Sequence, residues 1–105
     1  MKPREHNIKI IPHYFEQQLS GRKCWELRYN DRNYQIGDIL YLHEWDKVKG
    51  YSGRILKVQI VDMLKDYYLL NTDVVILTTK ILDRTSSLFS KWTIEERKNQ
   101  RSDEN

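Results

Sequence analysis

With 105 residues, 31% of them charged and 39% apolar, the chain has the size and balance of one small domain with a modest core. Its single cysteine excludes an internal disulfide, and no apolar run reaches the length of a membrane span or a secretory leader, which points to a reducing cytoplasm. A net charge of +3 is compatible with nucleic acid without demanding it.

Residues 6–11 read as a first strand, with Ile8 and Ile10 on one face and Asn7 and Lys9 on the other. Pro12 suits the first position of a helix, where a missing N–H costs nothing. Phe15 and Leu19, one turn apart, give that helix an apolar side over about two turns, and Gly21 supplies its left-handed stop. A second strand begins near Cys24. Its alternation sends Trp25, Leu27 and Tyr29 towards the core and Cys24, Glu26 and Arg28 to the other face. Residues 30–33 (Asn-Asp-Arg-Asn) form a polar turn.

Gly37 and Asp38 open a strand over residues 39–45 that is apolar on both faces, so it belongs in the middle of the sheet. Residues 46–53 read as a loop, 54–64 as a long strand, 65–73 as a connection and 74–79 as a last, β-branched strand. From Arg84 the composition turns polar. Thr93 to Glu96 fits a capping box for a short helix, and the final residues look disordered. Residues 1–83 are thus expected to be the domain and 84–105 an extension. A strand, a helix and then several strands joined by turns is not a βαβ alternation. The fold class is α+β and β-rich: a curled, mostly antiparallel barrel of about five or six strands with a short helix at one opening.

The chemistry concentrates between Gly21 and Tyr51. Arg22, Lys23, Arg28 and Arg32 stand close to Glu26 and Asp31. Glu26 beside Arg28 offers an acceptor and donors to a base edge, or else forms an internal salt bridge with Lys23 or Arg32. Lys23, just past the helix, suits a phosphate or the solvent. Tyr34 and Tyr51 are stacking candidates for a base, whereas Trp45 fits the core better than a platform. His6, His13, His43 and Cys24 lack the spacing of a zinc site, and the chain has no phosphate loop, dinucleotide turn or nucleophile elbow. No catalytic residue, metal or cofactor is therefore assigned.

The segment SGRKCWELR, followed by NDRNYQIGDILYLHEWD and GYSGR, resembles the ASCH domain family of the PUA-like superfamily, in the small bacterial and phage branch. The family's G-x-K-x-x-E-x-R signature and following G-D turn are matched by Gly21, Lys23, Glu26, Arg28, Gly37 and Asp38, within a likeness spanning residues 6–82. The resemblance implies a small β-barrel with a cleft facing the signature, and binding of RNA or nucleotides. One related group hydrolyses the amide of acetylated cytidine with a lysine, a threonine and a glutamate. In this sequence Lys23 matches that lysine, but Glu26 occupies the threonine's position, which argues against the amidohydrolase.

The expected function is an RNA- or nucleotide-binding module whose ligand-binding residues are Lys23, Glu26, Arg28, Asp31, Arg32, Tyr34, Trp45 and Tyr51. In this reading charge reversal at Arg28 abolishes binding without unfolding the domain. The alternatives are a small amidohydrolase, or an accessory protein that meets a protein partner through Leu88, Phe89 and Trp92. Those three residues equally suit packing on the barrel.

Overall fold

The structure is a computed structural model and describes residues 2–83. Five strands and one helix follow in the order β1 (Glu5–Ile10), α1 (Pro12–Leu19), β2 (Trp25–Tyr29), β3 (Ile39–Asp46), β4 (Gly50–Leu64) and β5 (Val74–Asp83). They form a single sheet in the order β1-β3-β4-β5-β2. The β1–β3 pair is parallel and the other three pairs are antiparallel. The sheet curls into a half-barrel, as expected for a β-rich chain of this pattern. The capping box at Thr93 and the residues Leu88, Phe89 and Trp92 lie outside the described residues.

Each element has a local cause. Pro12 opens α1 after the extended Ile11, and the helix buries Phe15 and Gln18. Asp46 accepts the backbone N–H groups of Val48 and Lys49 at 2.7 and 3.0 Å, and Gly50 takes the positive φ of +78°. The loop expected over residues 46–53 therefore contracts to a tight hairpin turn, and β4 begins earlier than the sequence suggested. Likewise β5 runs past Thr79 to Asp83. Register shifts in β3 between His43 and Trp45, and in the β4–β5 ladder near Lys57 and Ile60, mark where the strands bend. The first part of β4 pairs with β3 and the last part with β5, so this one bent strand carries the curl.

The concave face holds the core: Ile8 and Ile10 of β1, Phe15 of α1, Tyr34, Leu40 and Leu42 of β3, Leu56, Val58 and Ile60 of β4, and Val75 and Leu77 of β5. The other face of β3 and β4 buries Ile39, Tyr41 and Ile55. Burial on both faces of β3 agrees with its doubly apolar sequence and its inner place in the sheet.

The sheet's edges are β1 and β2, brought together by α1 between them in the chain. Across that seam the Arg28 guanidinium of β2 donates to the Lys9 carbonyl of β1 at 2.9 Å. The seam of the half-barrel is thus bridged by a charged side chain.

Candidate functional site

The end of α1 delivers the signature to the seam. Ser20 N–H donates to Glu16, Gly21 N–H to Gln18 and Lys23 N–H to Gln17, so the chain folds back under the last helical turn. Gly21 makes this possible with φ at +83°, a conformation costly for any residue with a Cβ. Thr79 N–H then donates to the Cys24 carbonyl, and β2 pairs with β5 from Trp25 to Tyr29.

The face that β2 turns inward is the opposite of the one its apolar residues suggest. Trp25, Leu27 and Tyr29 are 48%, 42% and 42% exposed, whereas Glu26 and Arg28 are 0% and 2% exposed. Lys23 is buried as well, not solvated. The cause lies at the seam. A guanidinium at position 28 reaches a β1 carbonyl, and a carboxylate at 26 reaches the helix and Lys23; neither a leucine nor an aromatic ring supplies a charged partner for those groups.

The resulting network is dense. Glu26 Oε1 accepts from Arg28 Nε at 3.2 Å and Nη2 at 3.1 Å. Glu26 Oε2 accepts from Lys23 Nζ at 3.2 Å and Gln18 Nε2 at 2.6 Å. Gln18 also donates to the Trp25 carbonyl at 2.9 Å and accepts from the Thr79 hydroxyl at 3.4 Å. The Lys23 ammonium lies 4.4 Å from the Tyr14 ring centre and 4.8 Å from that of Trp25. Of the two partners considered for an internal salt bridge, Lys23 takes the role.

Arg28 therefore cannot be reversed in charge without harm. A carboxylate there would face Glu26 in the interior and abandon the Lys9 carbonyl, so the expectation that Arg28→Glu leaves the domain folded is withdrawn on the geometry.

The remaining expected residues scatter around this centre. Asp31 lines a hollow of about 260 Å³ with Asn30, Thr72 and Asp73, at the far end of β2. The Arg32 carbonyl accepts from Arg4 at 2.8 Å, which ties the turn to the N-terminal segment. Tyr34 is no stacking platform. It is 1% exposed, part of the core, and meets His6 edge to face at 4.9 Å. Its burial follows from the turn before it, where the Tyr34 N–H donates to Asn30 Oδ1 at 2.8 Å and directs the ring inward.

Trp45 is half-buried with the Lys9 ammonium 3.8 Å from its ring centre, in keeping with a packing role. Tyr51, paired across from Trp45, meets His43 edge to face and lines a pocket of about 380 Å³ with Pro12, Glu44, Asp46, Lys49, Gly50 and Ser52. In that pocket Glu44 is held by Arg54 through bonds of 2.9 and 2.8 Å and by Ser52 at 2.5 Å. Arg54's bonds keep the Glu44 carboxyl below its ordinary range despite burial.

Three members of the central network were not foreseen: Gln18, Thr79 and Tyr14. Gln18 carried a signal, because it falls between Phe15 and Leu19 on the buried side of α1. Thr79 had none, since a β-branched residue at the end of a strand looks like any other.

A second polar pair stands under the 31–38 segment. His6 Nε2 lies 2.8 Å from Asp38 Oδ2, which also accepts the Gln35 N–H at 3.0 Å. Burial pushes the His6 imidazole below its usual value against the pull of Asp38. Burial alone would raise the Asp38 carboxyl, but the bonds from His6 and Gln35 and the charge of Arg4 together hold it low. Among the described residues no group of three or more His, Cys, Asp or Glu side chains is placed to hold a metal ion. No described helix is long and apolar enough to cross a membrane.

Compared with known proteins, residues 5–79 match a family described as a domain of unknown function, DUF3850. The chain is also similar to the uncharacterized 12.9 kDa protein in the GpA 3' region of Escherichia phage P2. The two are 38% identical over 91 residues, which cover 77% of this chain and 82% of the phage protein.

Proposed function

This chain belongs to the DUF3850 family, and for it we propose the activity that its ASCH-like signature implies: an RNA- or nucleotide-binding module of PUA-like type. The ligand seats at the seam between β1 and β2, over Lys23, Glu26 and Arg28. Asp31 and Arg32 lie further along the same segment, and Trp45 and Tyr51 are assigned to the β3–β4 hairpin rather than to ligand contact.

One observation carries this reading. A strand with three apolar side chains available for the core instead turns a carboxylate and a guanidinium inward and recruits a lysine to them. Shifting the strand by one residue would have put Trp25, Leu27 and Tyr29 inside and spared the desolvation of the charges. Departures from the local folding pattern of this kind concentrate at functional sites. The donors gathered there (an ammonium, a guanidinium and a glutamine amide), bonded to Glu26 and to backbone carbonyls, suit phosphate oxygens and base edges once a ligand displaces those bonds.

The test is a titration of the purified protein against short single-stranded RNA, duplex RNA and free nucleosides at low and moderate salt, with Lys23→Gln as control. Binding that weakens with salt and is lost in a folded Lys23→Gln variant supports the reading. Absence of binding to all three refutes it.

A second reading is favoured by one contact. Threonine is absent from position 26, but the buried Thr79 hydroxyl joins the same network through Gln18. A hydrolase would then use Thr79 in place of a nucleophile on β2. Turnover of acetylated cytidine that disappears in Thr79→Val would establish it; turnover unaffected by that change, or none at all, would remove it.

A further inference from the structure

The inversion of β2 leaves a second feature that the seam does not use. Trp25, Leu27 and Tyr29 form an exposed stripe along the edge strand, flanked on β5 by the outward residues Val74, Ile76 and Thr78. Alternate residues of a strand lie about 6.6 Å apart, so the two rings stand about 13 Å apart on one face. We propose that this stripe is a stacking platform for single-stranded nucleic acid, along which a strand runs after leaving the seam. The inference rests on the RNA- or nucleotide-binding reading and narrows it: the preferred ligand is a flexible single strand, not a mononucleotide or a duplex.

Three observations favour this occupant. The stripe is continuous with the seam, because the Lys23 ammonium that binds Glu26 also lies against the Trp25 ring. Rings exposed to nearly half of their surface on a rigid strand accept bases of any identity, each stacked base contributing about 1–3 kcal/mol. The charge is also graded along the stripe. Arg22 and Lys80, both exposed, lie at the Trp25 end, where phosphates are attracted. Asp31 and Asp73 lie beyond Tyr29, whereas Asp62, opposite Thr78, belongs to the Trp25 end and offsets one of its two exposed cations. The strand therefore enters at the basic end, and Tyr29 takes the last stacked base before the acidic hollow. A duplex, whose bases are already stacked on each other, offers the rings nothing.

The experiment compares a fluorescently labelled single-stranded RNA decamer, the same sequence as a duplex, and the mononucleotide, by anisotropy and competition. It uses the full chain and its Tyr29→Ala and Tyr29→Phe variants. Tyr29 is half-exposed, so both variants are expected to fold, which circular dichroism checks. The expected result is tighter binding of the single strand than of the other two probes. Tyr29→Ala should weaken it about 5- to 150-fold, leaving the mononucleotide unchanged, and Tyr29→Phe should retain it. If the mononucleotide or duplex binds as well as the single strand, or Tyr29→Ala binds normally, the platform is refuted while the seam site stands. If no probe binds, the seam reading itself falls and this inference with it. A concentration-dependent dimer of the full chain that Tyr29→Ala dissociates would assign the stripe to a second copy and overturn the proposal.

Discussion

Replacing Glu26 by glutamine removes one negative charge from the interior and nothing else of size. In the native network its two oxygens accept bonds from Arg28 Nε and Nη2, Lys23 Nζ and Gln18 Nε2, at 2.6 to 3.2 Å. The amide NH₂ of glutamine must replace one of those oxygens and would point a donor at donors. Lys23 and Arg28, 5% and 2% exposed, would be left without the carboxylate between them. Removing one partner of a buried ion pair costs about 3–5 kcal/mol. That is a large share of the roughly 5–15 kcal/mol that holds a small domain folded. With an m-value of about 2 kcal/mol per molar urea, the unfolding midpoint should fall by roughly 2 M.

The counterpart is the triple replacement Lys23→Met, Glu26→Leu, Arg28→Met, which removes the charges together. Exchanging a whole buried ion network for apolar side chains is often neutral or stabilising. Here the Lys9 carbonyl loses its Arg28 donor, which costs about 1–3 kcal/mol. Gln18 keeps its bonds to the Trp25 carbonyl and Thr79. The triple variant should therefore unfold at higher urea than Glu26→Gln, yet bind no RNA or nucleotide. The reasoning fails if Glu26→Gln shifts the stability by less than about 1 kcal/mol, or if the triple variant is no more stable than the single one.

Three other outcomes are expected. Tyr34→Ala should cost about 3–5 kcal/mol in urea unfolding, since the ring fills the core beside His6; a loss under about 1 kcal/mol would return Tyr34 to the surface. The His6 imidazole titrates below its unfolded value of 6.5, so its neutral form is favoured by folding. Its contribution is complete above pH 6.5 and is lost as the pH falls through the lower folded value; Asp38, also held low, adds a loss further down, below its unfolded 3.8. His6→Gln should accordingly show a smaller fall in urea midpoint between pH 7.5 and 5 than the wild type, and an equal fall would clear His6. Burial, with Glu5 accepting its hydroxyl at 2.9 Å, pushes the Tyr41 phenol up to about 12, so one tyrosine should stay un-ionised in ultraviolet titration past pH 11; complete ionisation near 10 would contradict that contact.

Much of the architecture could be read along the chain, because its causes are local. Pro12, the Phe15–Leu19 spacing and Gly21 bound the helix within one turn of its true ends. Gly37 and Asp38 marked the turn before β3, and the doubly apolar run of β3 marked its inner place. The residues of the charged site were also visible, since Lys23, Glu26 and Arg28 sit within one short segment. The sequence could not say which of them would be hidden.

Alternation in a strand separates two faces but carries no sign, so composition has to decide which face is the core, and on β2 composition pointed the wrong way. What reversed it lies far along the chain or across the seam: the Lys9 carbonyl on β1, Gln18 on α1, and Thr79, which meets Gln18 from 61 residues away. Tyr34 went inward for a similar reason, its ring finding His6 from the first strand. The parallel pairing of β1 with β3, which brings the two sheet edges to opposite sides of the seam, is likewise absent from any local pattern. Local propensity and periodicity thus determined the elements and the residue types of the site. The long-range pairing of buried polar groups, each of which must find a partner, decided the facing of β2 and with it the form of the site.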